Sequence, residues 1–374
     1  MSNFTESTQS INLELACKSC GALLKFKPGT QNLACEYCGA QNEIAQPQTK
    51  GEAKETSLED FLNKNWDQQE KIEVTSMKCD GCHAINTFDP KTVSDKCAFC
   101  GSPLVVKGAS TSKIHKPEYV LPFGIDVQKA GQNFKQWISS LWFAPSDLKQ
   151  YANSAQGLNG VYLPFWTFDC ITDSSYSGQR GEDYIVTETY TANENGQNGI
   201  RERQVTKTNW YSVSGQVSNV FDDILIEATT SLNKEKLRSL EPWDLKNLSV
   251  YDDQYLSGFR TESFSVDLKS GYGEAKLRME PIIESSIRRD IGGDRQLIHS
   301  VSTTYHNPSF KHILLPVWLS AYRYNNKVYQ FLINARTGEV QGERPYSTTK
   351  IVLAILGSMA LIAILFLIFG GNAG

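Results

Sequence analysis

The sequence predicts a multidomain chain in which two small four-cysteine β modules precede an α+β domain with antiparallel sheet and one C-terminal transmembrane helix. Three observations predict this organisation. A cysteine pattern repeats near the N-terminus, helix and strand patterns mix without regular alternation over residues 111–345, and an uncharged apolar run fills residues 351–369. With 374 residues, of which 40% are hydrophobic, the chain can bury a sizeable core besides the small modules.

Eight of the nine cysteines form two sets with the same C-x2-C-x14-C-x2-C spacing. A C-x2-C turn presents two thiolates, and a second turn opposite completes the tetrahedron of four sulfurs that structural zinc requires. Rubredoxin-type iron uses the same geometry, whereas a redox C-x-x-C normally occurs once, near a βαβ pattern. We therefore predict two structural Zn²⁺ ions. The predicted ligands are Cys17, Cys20, Cys35 and Cys38 for the first ion, and Cys79, Cys82, Cys97 and Cys100 for the second.

The sequences around the two cysteine sets match, which indicates an internal duplication over residues 15–42 and 75–107. Phe26 and Phe88 occupy equivalent positions, and we expect each to pack over the hairpin of its own module. The ninth cysteine, Cys170, lies in an apolar run and is predicted to be buried and inert rather than catalytic. Metal-binding thiolates indicate a reducing compartment. Glycines follow the second cysteine of three turns, where a positive φ is expected: Gly21, Gly39 and Gly101.

The segments outside the modules are polar. We expect residues 1–14 to be disordered and residues 43–74 to form an acidic linker. Within this linker, apolar residues at helical spacing predict a short amphipathic helix over 58–71. The helix is expected to pack on a module or on the large domain, and the alternative is a partner-binding helix.

The large domain, residues 111–345, is predicted to combine three helices with antiparallel strands and tight turns. The predicted helices are 126–142, 233–247 and 265–290, the last interrupted by Gly271, Gly273 and Pro281. The predicted strands are 161–168, 184–190, 201–212, 313–324 and 327–333, with a hairpin loop at 193–199 and a turn at 325–326.

Two similar phrases recur inside this domain, Leu-Pro-Phe-Trp ending at Trp166 and Leu-Pro-Val-Trp ending at Trp318. A fainter echo lies at residues 121–123. We expect the phrases to mark equivalent strand starts in two related halves, because proline is tolerated at the first position of a strand. Both tryptophans are predicted to pack in the core, and the alternative is a ligand groove between them.

The sequence predicts no catalytic residues, because no P-loop, H-E-x-x-H or G-x-S-x-G motif is found. The histidines of the large domain show no metal-ligand spacing. Two acidic pairs, Asp222-Asp223 and Asp252-Asp253, are interpreted as turns or helix caps rather than as cation sites, because neighbouring strand residues point to opposite faces.

Charge argues against a general nucleic-acid binder, since the net charge is −4 and the pI is about 5.8. The first cysteine module is only weakly basic, and the second carries equal numbers of lysines and aspartates. Tyr37 and Phe99 lie inside matching turns and offer faces on which bases could stack, but a phosphate-tracking surface needs a denser basic cluster. Protein recognition is therefore the favoured role of the modules.

The apolar run at 351–369 is long enough to cross a membrane, since 19 helical residues span about 28 Å. A buried core helix is the alternative, but it would usually be shorter. Arg344 and Lys350 precede the run, and the tail, residues 370–374, carries no charged side chain. The positive-inside rule therefore predicts a single-pass tail anchor with the N-terminal domains in the cytoplasm.

Taken together, the duplicated cysteine modules, the Leu-Pro-Phe-Trp block, residues 251–259, residues 333–340 and the terminal apolar run make the chain resemble bacterial membrane-anchored, TFIIB-type zinc-ribbon proteins. Members are often labelled as similar to the primosomal replication helicase, but this chain has no motor motif. Some relatives are linked with SPFH-domain and phage-shock-A-type membrane-stress proteins. The resemblance implies a non-enzymatic adaptor at the inner face of the membrane, with an SPFH-domain or phage-shock-A-like protein as partner. The alternative is a membrane-tethered nucleic-acid-binding protein.

Overall fold

Strands dominate the molecule. The structure, a computed structural model, describes residues 15–44, 53–63, 71–80, 84–88, 94–97, 99, 102–105, 110–145, 157–194, 197–324 and 327–370. The described strands are β1 (Leu24–Phe26), β2 (Asn32–Cys35), β3 (Gln41–Glu43), β4 (Thr56–Ser57), β5 (Lys71–Lys78), β6 (Ile85–Phe88), β7 (Ser94–Lys96), β8 (Pro103–Val105), β9 (Ser110–His115), β10 (Tyr119–Val120), β11 (Asn159–Glu194), β12 (Gln197–Glu227), β13 (Ser249–Val250), β14 (Arg260–Thr261), β15 (Arg295–Tyr324), β16 (Lys327–Asn334) and β17 (Val340–Gly342).

Three very long antiparallel strands, in the order β12-β11-β15, form the centre of the large sheet. The predicted strands at 161–168, 184–190, 201–212 and 313–324 are parts of these longer strands, because the Ser- and Thr-rich stretches between them pair as well. The hairpin predicted at 193–199 is confirmed by the antiparallel pairing of β11 with β12, but its loop is shorter than predicted, since pairing continues to Glu194 and Gln197. The predicted strand at 327–333 is confirmed as β16, while the turn at 325–326 lies outside the described residues.

The helices agree with the sequence only in part. They are α1 (Leu58–Asn63), α2 (Val127–Ser140), α3 (Lys234–Arg238), α4 (Leu268–Ile291) and α5 (Thr348–Gly370), with 3-10 turns at Leu245–Asn247 and Asp253–Leu256. The prediction for α2 is confirmed. The helix predicted over 233–247 is wrong, since α3 ends at Arg238 ahead of Pro242, whose missing N–H ends helices. The predicted interruptions of α4 are also wrong: the helix is continuous, and Pro281 lies on its solvent face.

The large domain contains two halves with the same local geometry. Each half has a short strand, a loop that ends in an aspartate cap, a helix, and a long strand with the Leu-Pro-x-Trp phrase. Asp126 caps α2 by accepting from the backbone N–H of Lys129 at 2.8 Å, and Asp267 caps α4 by accepting from that of Ser270 at 2.9 Å. The short strands are exchanged, because β10 pairs in parallel with β15 and β14 pairs in parallel with β11.

The tryptophan of each Leu-Pro-x-Trp sequence forms a hydrogen bond with the other half of the domain. The indole Nε1–H of Trp166 donates to the carbonyl of Val266, and that of Trp318 donates to the carbonyl of Ile125, both at 3.0 Å. Each of these carbonyls directly precedes an aspartate cap. The two tryptophans are buried in separate clusters, so the predicted core role is confirmed and they line no common groove.

The sequence suggested that the two prolines begin strands, but they do not. Pro164 and Pro316 lie inside β11 and β15, directly before the residues at which β12 and β16 join the sheet. Their missing N–H groups therefore remove no hydrogen bond to those neighbours. Their carbonyls accept equivalent bonds, from Ala228 at 3.0 Å and from Ala335 at 3.1 Å.

Both faces of the sheet are covered, which explains why the central strand segments are apolar on consecutive residues rather than on alternate ones. One face carries α2 and α4 over two aromatic clusters. The other face carries the segment around α3 together with Cys79, Cys97 and Phe99 of the second cysteine module. This module forms a β6-β5-β9 sheet, so residues 110–115 pair with it rather than with the large sheet.

The linker between the modules is bound to the large domain. β4 pairs with β15, and Leu58 at the start of α1 is buried. The ring of Phe61 packs edge-on against Phe310, with the ring centres 4.8 Å apart. The predicted packing of this helix is confirmed for residues 58–63, while 64–70 lie outside the described residues. The predicted end at residue 71 is wrong, because Lys71 begins β5. The segments 1–14 and 371–374 also lie outside them.

A two-stranded arm extends beyond the three-stranded part of the sheet. Pairing of β11 with β15 ends at Gly181, whereas β11 and β12 continue together over residues 182–194 and 197–209. At about 3.4 Å per residue this arm is roughly 40 Å long. Its ladder includes Glu188, which forms ion pairs with Arg203 and Lys207.

One C-terminal helix is long and apolar enough to cross a membrane. Its span covers Thr348–Phe366, and none of it is buried in the molecule.

Candidate metal centre

The four cysteines of the first module come together between two backbone turns. Each turn is closed by the N–H of its first cysteine, which donates to a carbonyl five residues later: Cys17 to Ala22 at 2.7 Å and Cys35 to Ala40 at 2.9 Å. Gly21 and Gly39 have φ of 73° and 75°, as predicted, so the chain turns tightly behind each pair. Gly101 lies outside the described residues.

The sulfur geometry suits a tetrahedral metal ion. The Sγ atoms of Cys17 and Cys38 are 3.6 Å apart, as are those of Cys20 and Cys35. All four sulfurs lie within 4.8 Å of one another. A tetrahedron with Zn–S bonds of about 2.3 Å has edges of about 3.8 Å, whereas a disulfide needs about 2.05 Å. The four cysteines therefore have the spacing of metal ligands and not of disulfide partners.

Backbone dipoles prepare two of these sulfurs as thiolates. The N–H groups of Ser19 and Cys20 lower the pKa of Cys17 to about 6, and the N–H of Cys38 lowers the pKa of Cys35. The N–H of Ala22 acts in the same direction on Cys20, but the neighbouring thiols outweigh it and raise the pKa of Cys20 to about 12. A bound cation would favour loss of the proton from Cys20.

The second module repeats the turn geometry wherever the structure describes it. The N–H of Cys79 donates to the carbonyl of Ala84 at 2.9 Å, and the N–H of Cys97 donates to that of Ser102 at 2.8 Å. These two bonds are equivalent to those that close the turns of the first module. Cys82 and Cys100, the other two predicted ligands, lie outside the described residues.

Phe26 has a role that the sequence did not indicate. It is buried, and it contacts the rings of Tyr255 and Phe259 in the large domain, with ring centres 5.4 and 6.4 Å away. Its backbone N–H donates to the carbonyl of Ser257 at 3.0 Å. Phe26 therefore fastens the first module to the domain instead of only covering its own hairpin. The side chain of Phe88 lies outside the described residues.

Among the described residues, a second group of potential ligands consists of Glu55, Asp169 and Asp222. The ammonium of Lys311, only 5% exposed, already supplies the positive charge there, with Nζ 2.9 Å from Asp223, 3.3 Å from Glu55 and 3.4 Å from Asp169. Lys311 therefore centres a partly buried ion-pair network with Asp169, Asp223 and Glu55, and the partly exposed Glu55 ties the segment before β4 to the sheet. Its lysine and carboxylates come from four distant segments, so no sequence spacing could have revealed it.

The acidic pairs have different outcomes. Asp252 accepts from the N–H of Gln254 at 2.8 Å and caps a 3-10 turn, which confirms its predicted role. Asp223 has a φ of 52° beside a β-bulge and pairs with Lys311, so it is a turn residue with an additional ionic contact. Cys170 is buried as predicted, and burial raises the pKa of its thiol to about 11.

The comparisons with known proteins give one relative. The chain is 23% identical over 344 residues to the Bacillus subtilis (strain 168) protein YdjG, described as uncharacterized, and the match covers 90% of this chain and 91% of that protein. No protein-family model matches the sequence, and no solved structure matches it. The similarity therefore extends over most of the length of both chains.

Proposed function

We propose that the chain is a non-enzymatic, membrane-anchored scaffold whose two cysteine modules each bind structural Zn²⁺ and recognise a cytoplasmic protein partner. The sulfur spacing of the first module supports the metal, and the two turns of the second module close with the same backbone bonds. The apolar helix α5 supports the anchor. The resemblance to membrane-anchored zinc-ribbon proteins points to SPFH-domain or phage-shock-A-like proteins as the class of partner.

The observation that carries the proposal is the orientation of the first module. The Phe26 side is buried against the large domain, while the opposite turn carries Tyr37, which is 90% exposed. A large aromatic side chain held rigidly by a metal turn is a typical anchor for protein recognition. The arm adds further exposed apolar side chains, including Tyr184 and Ile185.

Charge supports a protein partner over a nucleic acid. Lys25, one of the lysines in the first module, forms an ion pair with Glu36 at 2.7 Å. The basic surface of this module is therefore weaker than its lysine count suggests. Neutralising several phosphates requires a denser cluster of cations.

The test is affinity capture of the full chain from membranes of its source cells, comparing the wild type with Tyr37→Ala. A matched control is Leu277→Ala, since Leu277 is an exposed apolar residue on α4. We expect Tyr37→Ala to lose the captured protein and Leu277→Ala to retain it, at both low and high salt. A partner released by nuclease, or lost steeply as salt rises, would favour the nucleic-acid alternative. An unchanged partner list for Tyr37→Ala would overturn the assignment of this turn as the recognition element.

A further inference from the structure

A cavity of about 530 Å³ lies between the linker and the edge of the large sheet. Its walls include the aromatic rings of Phe61, Trp166 and Phe310. The linker closes one side, because the hydroxyl of Tyr119 accepts from the backbone N–H of Lys54 at 2.6 Å and donates to the carbonyl of the same residue at 3.2 Å. The volume falls in the range of small-molecule sites in proteins.

His312 is the polar group of this cavity that stands out. It is only 4% exposed, and neither ring nitrogen has a hydrogen-bond partner among the described residues. Burial lowers its pKa to about 3, so the ring is neutral and presents one donor and one acceptor. The ring centre lies 4.5 Å from that of Trp166. Buried polar groups nearly always have a partner, so an imidazole in this position indicates a ligand.

The other half of the domain shows how the same place looks when it is filled by the protein itself. The position equivalent to His312, four residues before the proline of the phrase, is Gly160, and the position equivalent to Glu118 is Phe259. Phe259 lies directly against Gly160 and stacks on Phe123, with ring centres 3.9 Å apart. That half is therefore closed by an aromatic ring.

In the half with the cavity, the phenylalanine is replaced by a carboxylate and the glycine by an imidazole. Glu118 is held aside by Thr56, whose hydroxyl donates to it at 2.9 Å, and by the backbone N–H of His312 at 3.2 Å. Phe264, the equivalent of Phe123, remains beside Trp166, with ring centres 5.5 Å apart. The frame of the aromatic stack is kept, but the ring that faces Phe264, that of His115, lies 6.4 Å away, compared with 3.9 Å between the rings of Phe123 and Phe259, so the stack is more open in this half.

We propose that this cavity binds a small, uncharged, planar molecule that takes the place of the ring of Phe259 and uses a hydroxyl group to hydrogen-bond His312. The aromatic walls select a flat apolar body, and the neutral imidazole selects a group that both donates and accepts. The cavity borders the second module through His115, the last residue of β9, but it uses none of the cysteines and does not depend on the scaffold function.

The test compares two probes of the same shape, 2-naphthol and naphthalene, on the full chain in detergent micelles, with binding measured by equilibrium dialysis against protein-free micelles. We expect 2-naphthol to bind about tenfold more tightly or better, because naphthalene leaves the imidazole without a partner. In His312→Phe this preference should disappear. The matched control His299→Phe changes an exposed histidine and should keep it.

A second measurement does not depend on the variant folding. In wild-type protein with labelled histidines, 2-naphthol should shift the ring resonances of His312 and leave those of His299 unchanged. Equal binding of the two probes, or no binding with unshifted His312 resonances, would overturn the proposal and leave the cavity as a packing defect or a water site.

Discussion

At the scale of single residues, the first cysteine site depends on Cys20, whose thiol is held neutral by its neighbours unless a cation is present. We expect Cys20→Ser to remove one of the two proposed zinc ions, because three thiolates and a hydroxyl bind zinc far more weakly than four thiolates. Zinc content per chain, measured by mass spectrometry, should fall from about two to about one. Cys170→Ser, the matched control, changes a buried cysteine outside both sets and should retain both ions.

Hydrogen exchange shows which residues are destabilised by Cys20→Ser. Metal binding supplies much of the folding free energy of such small modules, so exchange in Cys20→Ser should increase over residues 15–44. Residues of α4 should exchange as in the wild type. Retention of two zinc ions by Cys20→Ser would contradict the four-sulfur site.

Glu262 is one of the buried carboxyl groups that should make the stability depend on pH. It is 2% exposed, one of its carboxylate oxygens has no partner among the described residues, and burial raises its pKa to about 7. A pKa raised by folding means that the folded state binds a proton which the unfolded state releases between about pH 4.5 and 7. Stability from this residue is therefore present at low pH and is lost as the pH rises through about 7.

We accordingly expect Glu262→Gln to be more stable than the wild type at pH 8, by about 3 kcal/mol, and nearly equal to it at pH 4. Glutamine keeps the shape of the protonated acid without its ionisation. Denaturant unfolding at the two pH values measures the difference. Glu284→Gln, the same chemical change on the exposed side of α4, is the matched control. A constant offset between Glu262→Gln and the wild type at both pH values would refute the explanation.

At the scale of the element, two glycines of α4 have opposite roles. A Cβ at Gly271 would lie 2.9 Å from Cδ1 of Trp166, whereas a Cβ at Gly273 meets no atom within 4 Å. We expect Gly271→Ala to destabilise the fold by about 1–3 kcal/mol through overpacking. Gly273→Ala should stabilise it by up to about 1 kcal/mol, because alanine is the better helix former.

Thermal unfolding of the two variants, each against the wild type, tests this pair directly. The same chemical change is made two residues apart on one helix, so each variant serves as the control of the other. Equal effects of the two substitutions would show that packing against Trp166 does not set the position of α4.

These glycines also show why some helix and strand bounds were predicted wrongly from the sequence. Gly271, Gly273 and Pro281 favour interruption, but a buried stripe on α4 outweighs local propensity: Leu268, Gly271, Ala275, Met279, Ile283, Ile287 and Ile291. Pro281 faces solvent, where a helix tolerates it best. The helix α2 was predictable because its N-terminal cap and the helical spacing of its apolar residues indicate the same segment. The lengths of β11, β12 and β15 were not, since their outer parts are polar and are held by backbone pairing.

The candidate sites also divide into one that the sequence could predict and one that it could not. The four-cysteine cluster of the first module was predictable because cysteine pairs separated by two residues carry their geometry in the spacing. His312 and Glu118 were not, because they meet only through the parallel pairing of β10 with β15. The repeated Leu-Pro-x-Trp sequence indicated that the two halves of the domain are related. It identifies the cavity only when the structure shows that Phe259, packed against Gly160, fills the equivalent space in the other half.

At the scale of the whole molecule, the large domain is fastened to the start of α5. The Nζ of Lys350 donates to the carbonyl of Ala144 at 2.7 Å, and the N–H of Ser347 donates to that of Phe143 at 2.8 Å. A groove beside these bonds is lined by the end of α2 and by Leu353 and Ala354 of the span. If α5 crosses a membrane, the end of α2 lies at the lipid surface and the orientation of the domain is fixed.

Trp142 is then the residue expected to enter the membrane interface. It is 82% exposed in the segment that follows α2, and it lines the groove together with Lys350. Tyr346, whose ring lies 5.2 Å from the guanidinium carbon of Arg344, comes shortly before α5. Tryptophan, tyrosine and basic residues together are typical of the headgroup region. In vesicles that contain brominated lipid, quenching of tryptophan fluorescence should fall markedly in Trp142→Ala. Trp210→Ala, which removes an exposed tryptophan of β12, should leave it unchanged. Equal quenching in wild type and Trp142→Ala would mean that the domain stands away from the membrane, and the contacts of Lys350 and Ser347 would then serve only to end α2.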